Sequence, residues 1–238
     1  VNTAKKTPPL RKTFLVKTIG LPEIQPLGLY CELLGNLLAR EFGIITPNPA
    51  IIILSEEFIE ANKKSFWERN IKLRAGLGVG AEYFSQGFTA VKSDMFLSRD
   101  LLGQATLIYG FDLLSQNPDR KEHNPNCAVK GNQIVAFDFD QSLSFIYPII
   151  GTKSEAWELS KLKFGPHVFY SNLKAKEREL NWQPLIHKVK HLNRDRIEAL
   201  CSLIPAEFGN YSEKVYKHFQ TIIDNSNQLE FELIRSLI

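Results

Sequence analysis

The sequence predicts an α+β chain of two lobes: a small, strand-rich N-terminal lobe with one key helix, then a larger, mostly helical C-terminal lobe. Three observations lead there. Two apolar runs, at residues 13–17 and 50–54, bracket one stretch of helical periodicity at residues 30–42. Two short apolar runs meet at Gly131-Asn132, which has the composition of a hairpin turn. Beyond Asp140, residues 155–162, 173–179, 184–192, 194–204 and 212–237 carry helical spacing, broken by Gly165-Pro166, Pro184, Pro205 and Gly209. The lobes are expected to divide as 1–92 and 93–238, in a chain of 238 residues that is long enough for a sizeable core.

Residues 1–12 are polar and contain Pro8 and Pro9, so they read as irregular. Phe14-Leu15-Val16-Lys17 reads as a strand ending in a lysine, and residues 20–28, with Pro22 and Pro26, as a loop. Leu33, Leu34, Leu37, Leu38 and Phe42 then share helical spacing, and Gly43 is the stop. Glu32 is expected to open this helix. Ala50-Ile51-Ile52-Ile53-Leu54 is continuous in apolar character, as in a buried strand, and residues 55–69 read as helical. Gly76-Leu77-Gly78-Val79-Gly80 lacks GxGxxG spacing and a clear strand-to-helix setting, so a flexible loop near the cleft is expected. Residues 94–114 are apolar nearly all round, the pattern of a helix inside a lobe. That helix feeds directly into Asn117-Pro118-Asp119-Arg120.

The stretch from Asn117 to Asn126, with Ala136-Phe137-Asp138-Phe139-Asp140 downstream, carries the chemistry. An Asp, an Asn five positions later and a carboxylate closing an apolar strand suit phosphoryl transfer. A two-residue turn at Gly131-Asn132 would set Asn124 opposite Phe139, and a three-residue loop would set Asn124 opposite Asp140 and Asn126 opposite Asp138. In either register Asn124 and Asp140 lie within one residue of each other. Magnesium takes one or two carboxylates plus phosphate oxygens, a demand that Asn124 with Asp140 or Asp138 fits. Asp119 is placed to accept a hydroxyl proton, and Arg120 to hold the catalytic loop through an acid or a phosphate. Carboxylates ending so apolar a strand are costly unless paired or metal-bound.

Lys17 and Glu32 form a second constellation, a strand lysine and a helix glutamate fifteen residues apart. In kinase-type folds such a pair connects the nucleotide's phosphates to a movable helix.

Charge is balanced, with 29 Lys and Arg against 26 Asp and Glu and a net charge of +3, so no direct nucleic-acid partner is expected. Cys31, Cys127 and Cys201 are far apart and lack CxxC spacing, which suits reduced core cysteines in a cytoplasmic protein. No apolar run approaches the roughly 18 residues that span a bilayer, so no membrane association is expected. The basic N-terminus lacks the apolar core of a signal peptide. His187 and His191 stand one helical turn apart, but Lys188 and Lys190 beside them point to a solvated basic face.

These residues together resemble the HipA-like kinases, and in particular their small stand-alone members. The run Asn117-Pro118-Asp119-Arg120 to Asn124-Pro125-Asn126 is similar to that family's N-x-D-R-x-x-x-N-P-N, and Phe139-Asp140-Gln141-Ser142 to its I-D-H-G. Phe14-Leu15-Val16-Lys17, Cys31-Glu32-Leu33, residues 78–84 and Ser202-Leu203-Ile204-Pro205 extend the likeness in order along the chain. The resemblance implies a two-lobed protein-kinase-like fold and an ATP- and Mg-dependent serine/threonine kinase. Asp119 is then the catalytic base, Asn124 and Asp140 the magnesium ligands, and Lys17 with Glu32 the phosphate-positioning pair. Asn126 and Asp138 are the second choices. The acceptor would be a protein or small-molecule hydroxyl, and a regulatory protein partner is a further expectation. Two other activities share this logic: a nucleotide-binding pseudokinase or regulatory module, and a lipid or small-molecule kinase. The chain departs from the family pattern in having no glycine before Gly20, so the phosphate-covering loop expected ahead of the Lys17 strand is either absent or replaced by Thr7-Pro8-Pro9-Leu10. Gln141-Ser142 also replaces His-Gly.

Overall fold

Residues 12–22, 24–69, 72–84, 87–147, 154–162 and 165–238 are described by the structure, a computed structural model of the chain. The expectation at residues 7–10 lies outside the described residues. Strands β1 (Phe14–Thr18), β2 (Pro49–Leu54) and β3 (Gly76–Glu82) form an antiparallel sheet in the order β1-β3-β2. The glycine-rich stretch expected to be a flexible loop is therefore the central strand. Its glycines give clearance between neighbours: a Cβ on Gly78 would meet the Lys17 carbonyl and Val16, and one on Gly80 would meet Ile52 and Phe14.

Helix α1 (Pro26–Glu41) packs against β3 and β2. It begins ahead of the periodic stretch because Pro26 occupies the first turn, where its missing N–H costs nothing. Glu32 consequently lies in the second turn rather than opening the helix, and it is only 6% exposed. The far side of α1 is fastened to later parts of the chain. Tyr30 meets Tyr211 edge-on at 5.0 Å and donates its hydroxyl to Cys201 Sγ at 3.5 Å, while Glu41 pairs with Arg196.

Helix α2 (Glu56–Glu68) is capped by Ser55, whose Oγ accepts from the Phe58 N–H at 3.2 Å, and it buries no residue fully. Helix α3 (Arg99–Leu114) is the opposite, apolar all round and largely buried. Phe111 sits between Phe42 at 5.3 Å and Phe139 at 6.3 Å, joining α3 to α1 and to the segment carrying Asp138 and Asp140. Each such buried ring contributes about 1.5–3 kcal/mol.

Strands β4 (Thr89–Ala90), β5 (Cys127–Lys130) and β6 (Gln133–Ala136) make a second antiparallel sheet. The hairpin forms with the two-residue turn: Cys127 faces Ala136 and Lys130 faces Gln133. Thr89 and Ala90, ahead of the expected division at residue 92, pair with Val129 and Ala128 of that hairpin.

The remaining helices are α4 (Tyr170–Ala175), α5 (Gln183–His191), α6 (Arg194–Cys201), α7 (Ser212–Asp224) and α8 (Leu229–Arg235). The helix expected over residues 212–237 is two helices, because Asn225, Ser226 and Asn227 interrupt it. Asn225 turns its amide back to the Thr221 carbonyl at 2.9 Å, the local competition that ends helices at such residues. Residues 155–162 hold only a single tight turn at Leu159–Lys161, since Ser160 gives its N–H and Oγ to Glu232 at 3.0 and 2.7 Å. Among the described residues, no helix is long and apolar enough to cross a membrane.

Candidate active site

Helix α3 ends in a turn that launches the loop carrying Asp119. The Gln116 N–H bonds to the Leu113 carbonyl and the Asn117 N–H to the Asp112 carbonyl at 3.1 and 2.8 Å, with Gln116 in the left-handed region at φ 49°. A residue other than glycine there costs roughly 1–2 kcal/mol. The next residues then reverse direction, as Asn117 Oδ1 accepts from the Asp119 N–H at 3.2 Å.

Behind the loop lies a buried ionic network. Arg120, 1% exposed, donates Nε to Asp112 Oδ2 at 2.5 Å, and its Nη1 reaches the Asn126 and Phe137 carbonyls on the two arms of the hairpin at 2.5 and 3.3 Å. Asp112 also accepts from Asn117 Nδ2 at 2.9 Å and from His167 Nε2 at 3.0 Å. Burial works against both charges, yet Arg120 and His167 hold the Asp112 pKa below its ordinary value and Asp112 holds that of Arg120 above. Arg120 therefore faces the interior rather than the cleft. The acid it holds is Asp112.

On the cleft side, Asp119 Oδ2 accepts from Asn124 Nδ2 at 2.8 Å and from Asn126 Nδ2 at 3.0 Å. Asn126, at φ 45°, adopts the left-handed backbone that Asn tolerates best among residues with a side chain.

A second cluster gathers around Lys17 on β1. Its Nζ bonds to Glu32 Oε2 at 2.9 Å, to Asp140 Oδ2 at 2.8 Å and to Asp138 Oδ1. Burial opposes the ammonium, but the Glu32 and Asp138 carboxylates hold its pKa above the ordinary value. Burial pushes the Glu32 carboxyl upward and Lys17 pulls against that shift. Glu32 Oε2 additionally accepts the Phe139 N–H at 3.1 Å, and Asp138 takes a left-handed backbone at φ 60°. Ser142 closes the following turn on the Phe139 carbonyl at 2.6 Å. Gly35 is what lets α1 come so near, because a Cβ there would collide with Phe139 and Ser142.

The two clusters border one cleft of about 620 Å³. Its apolar lining includes Leu15, Val79, Ala81, Phe84, Phe88 and Phe137, and its polar lining Lys17, Glu32, Glu82, Asn124, Asn126 and Asp138. Phe84 lies 5.1 Å from Phe88 and 5.6 Å from Phe137, edge-on to the first and tilted against the second. The volume and the mixed lining suit a ligand that combines a flat ring with anionic groups.

The expected residues thus come together as two sets. Lys17, Glu32, Asp138 and Asp140 converge on one point, and Asp119, Asn124 and Asn126 on another. The amide of Asn124 is bonded to Asp119, not to Asp138 or Asp140. Glu32, Asp138 and Asp140 offer carboxylate oxygens within 4.8 Å of one another, a hard-oxygen set suited to a magnesium ion. Sequence reasoning missed Asp112 and His167. A signal for Asp112 was present, because one carboxylate inside an otherwise apolar helix demands a buried cation. His167 had none, since nothing in its surroundings, Gly165-Pro166-His167-Val168, ties it to a loop 47 residues earlier (120 to 167).

The family model of the HipA-like kinases matches residues 11–232, and the chain belongs to that family. Family membership supports a kinase-type phosphotransferase. Among solved structures, the proinflammatory kinase CtkA of Helicobacter pylori is 12% identical, with a TM-score of 0.42 over 94% of this chain and 88% of that one. No curated protein matches the sequence.

Proposed function

We propose that this chain is an ATP- and Mg-dependent protein kinase that phosphorylates serine or threonine hydroxyls. The observation that carries the reading is the convergence of Lys17 with Glu32, Asp138 and Asp140, where Lys17, Glu32 and Asp138 line a cleft with several apolar and aromatic side chains. Residues 1–92 would form the nucleotide-binding lobe and residues 93–238 the catalytic one. Leu15, Val79, Phe84 and Phe137 would hold the adenine, and Lys17 would take the phosphates. Asp138, Asp140 and Asn124 are the residues to hold Mg²⁺, with Glu32 next to them. A magnesium ion held there would supply positive charge to offset the charge that builds up on the phosphates.

Asp119 receives the acceptor's proton while the hydroxyl oxygen bonds to the γ-phosphorus. The bond from that phosphorus to the β–γ bridging oxygen breaks, and ADP leaves. Asn124 and Asn126 orient the Asp119 carboxylate through their amides. Lys17 turns from the carboxylates to the phosphates, and Glu32 keeps it in reach.

Incubation with labelled ATP, Mg²⁺ and candidate protein substrates tests the reading. Asp119→Ala should lower transfer by about 10²–10⁴-fold, and Asp140→Asn should abolish it. Transfer unchanged in both variants removes these residues from the mechanism. A second reading, nucleotide binding without transfer, draws on the same cluster, because Lys17 already satisfies the acidic groups a metal would need. ATP-dependent thermal stabilisation with no transfer would favour it.

A further inference from the structure

We infer that His167 is a positioning residue for the catalytic loop, acting as a neutral Nε2–H donor that sets the Asp112–Arg120 pair. The inference rests on Asp119 being the base. Asp112 has four donors converging on it: Arg120 Nε at 2.5 Å, Arg120 Nη2 at 3.5 Å, Asn117 Nδ2 at 2.9 Å and His167 Nε2 at 3.0 Å. Two of these residues, Asn117 and Arg120, flank Asp119 in sequence. The position of the Asp112 carboxylate therefore dictates where both ends of the Asp119 segment lie. Among the described residues, only His167 reaches the carboxylate from a distant part of the chain.

The tautomer of His167 follows from its second ring nitrogen. Nδ1 accepts the Phe169 N–H at 3.1 Å, so it carries no proton, and Nε2 must carry the one it donates to Asp112. A second proton would face the Phe169 N–H, and the neighbouring guanidinium already supplies the cation. The ring is held edge-on by Tyr109 at 5.0 Å. The backbone of the same segment grips the loop directly: Lys121 bridges to His167, and the Val168 N–H donates to the Arg120 carbonyl at 3.0 Å. Residues 167–168 thus strap the loop at Arg120 and Lys121, while Asn124 and Asn126 hold the Asp119 carboxylate. Losing the His167 donor leaves the strap's backbone bonds in place but takes one of two donors from Asp112 Oδ2, which then rests on Arg120 Nε alone, so that the carboxylate can rotate and re-aim Arg120 and Asn117 with it.

Three variants test this on the full-length protein. His167→Leu fills the space without a donor, His167→Gln places an amide near the Nε2 position, and His167→Asn offers an amide too short to reach. Turnover in His167→Leu and His167→Asn should fall about ten- to hundredfold with KM for ATP unchanged within about twofold, while His167→Gln stays within about threefold of the parent. Amide exchange at residues 119–124 should quicken in the Leu and Asn variants and return to the parental rate in Gln. Equal turnover in Gln and Asn overturns the inference, as does a lower melting temperature with turnover of the folded fraction intact. Should His167→Leu not fold, the Gln and Asn pair decides alone. Undiminished transfer by Asp119→Ala would instead sink the reading beneath it.

Discussion

Lys17 and Asp140 lie 123 residues apart in sequence and are joined by a 2.8 Å ion pair. Lys17 at once contacts Glu32 and Asp138, so one ammonium neutralises part of three negative charges. Lys17→Met leaves those carboxylates facing one another. The variant should lose about 1–3 kcal/mol in urea denaturation without nucleotide, and lose transfer with it. Added Mg²⁺ should restore more stability to this variant than to the parent, because a cation site has been vacated. Equal stabilisation of both proteins by Mg²⁺ would contradict the picture.

Arg120 acts through its planar fork as well as its charge. It spans Asp112 and two hairpin carbonyls from a fully buried position, and an ammonium cannot cover all three. Arg120→Lys should cost about 1–3 kcal/mol, since some carbonyl bonds are lost. Arg120→Leu should cost about 3–5 kcal/mol by leaving Asp112 buried with too little compensation. Chemical denaturation of both variants orders them.

Gly35→Ala separates propensity from sterics. Alanine is favoured over glycine inside a helix by about 0.5–1 kcal/mol. Here its methyl would run into Phe139 and Ser142, and overpacking of that kind costs about 1–3 kcal/mol. The net effect should be destabilising, and the displaced Asp138–Asp140 turn should slow transfer. A rise in melting temperature would show that α1 can retreat without penalty.

Stability should fall in mild acid because of two neutral histidines. Burial pushes His218 down to about 4 from an ordinary 6.5, with Nε2 donating to the Leu114 carbonyl at 2.7 Å and the ring stacked on Phe145 at 3.6 Å. The unfolded chain takes up a proton below pH 6.5 that the folded chain refuses until about 4. The contribution is therefore complete above that upper value and is lost as the pH descends to the lower one, on the order of 3 kcal/mol in total. Burial lowers His167 too, in the same direction. His218→Gln should flatten part of the decline between pH 7 and 4.5 in denaturation curves, and an unchanged slope would assign the loss elsewhere.

The site was more legible than its scaffold. Asp119 and Asn124 could be named from their five-residue spacing and Glu32 from its spacing to Lys17, while Lys17, Asp138 and Asp140 stood out as charged residues at the ends of apolar runs. The hairpin was readable for a similar reason, since Gly131-Asn132 leaves few turn geometries open. The middle strand of the first sheet was not, because Gly78 and Gly80 carry no apolar alternation. Their purpose is visible only when Val16 and Ile52 stand beside them. The partner of Arg120 was likewise hidden, for Asp112 lies inside an element whose pattern speaks only of packing. The break at Asn225 lay in plain view as a polar triplet, and the apolar periodicity on either side outweighed it.

The fastening of α1 bears on control. Tyr30, two residues from Glu32, is wedged against Tyr211, and Glu41 at the other end is tied to Arg196. A helix anchored at both extremities cannot pivot by itself. Withdrawing Glu32 from Lys17 by moving this helix would drag the α6–α7 region along, so the carboxylate beside the cleft and that distant surface shift as one lever.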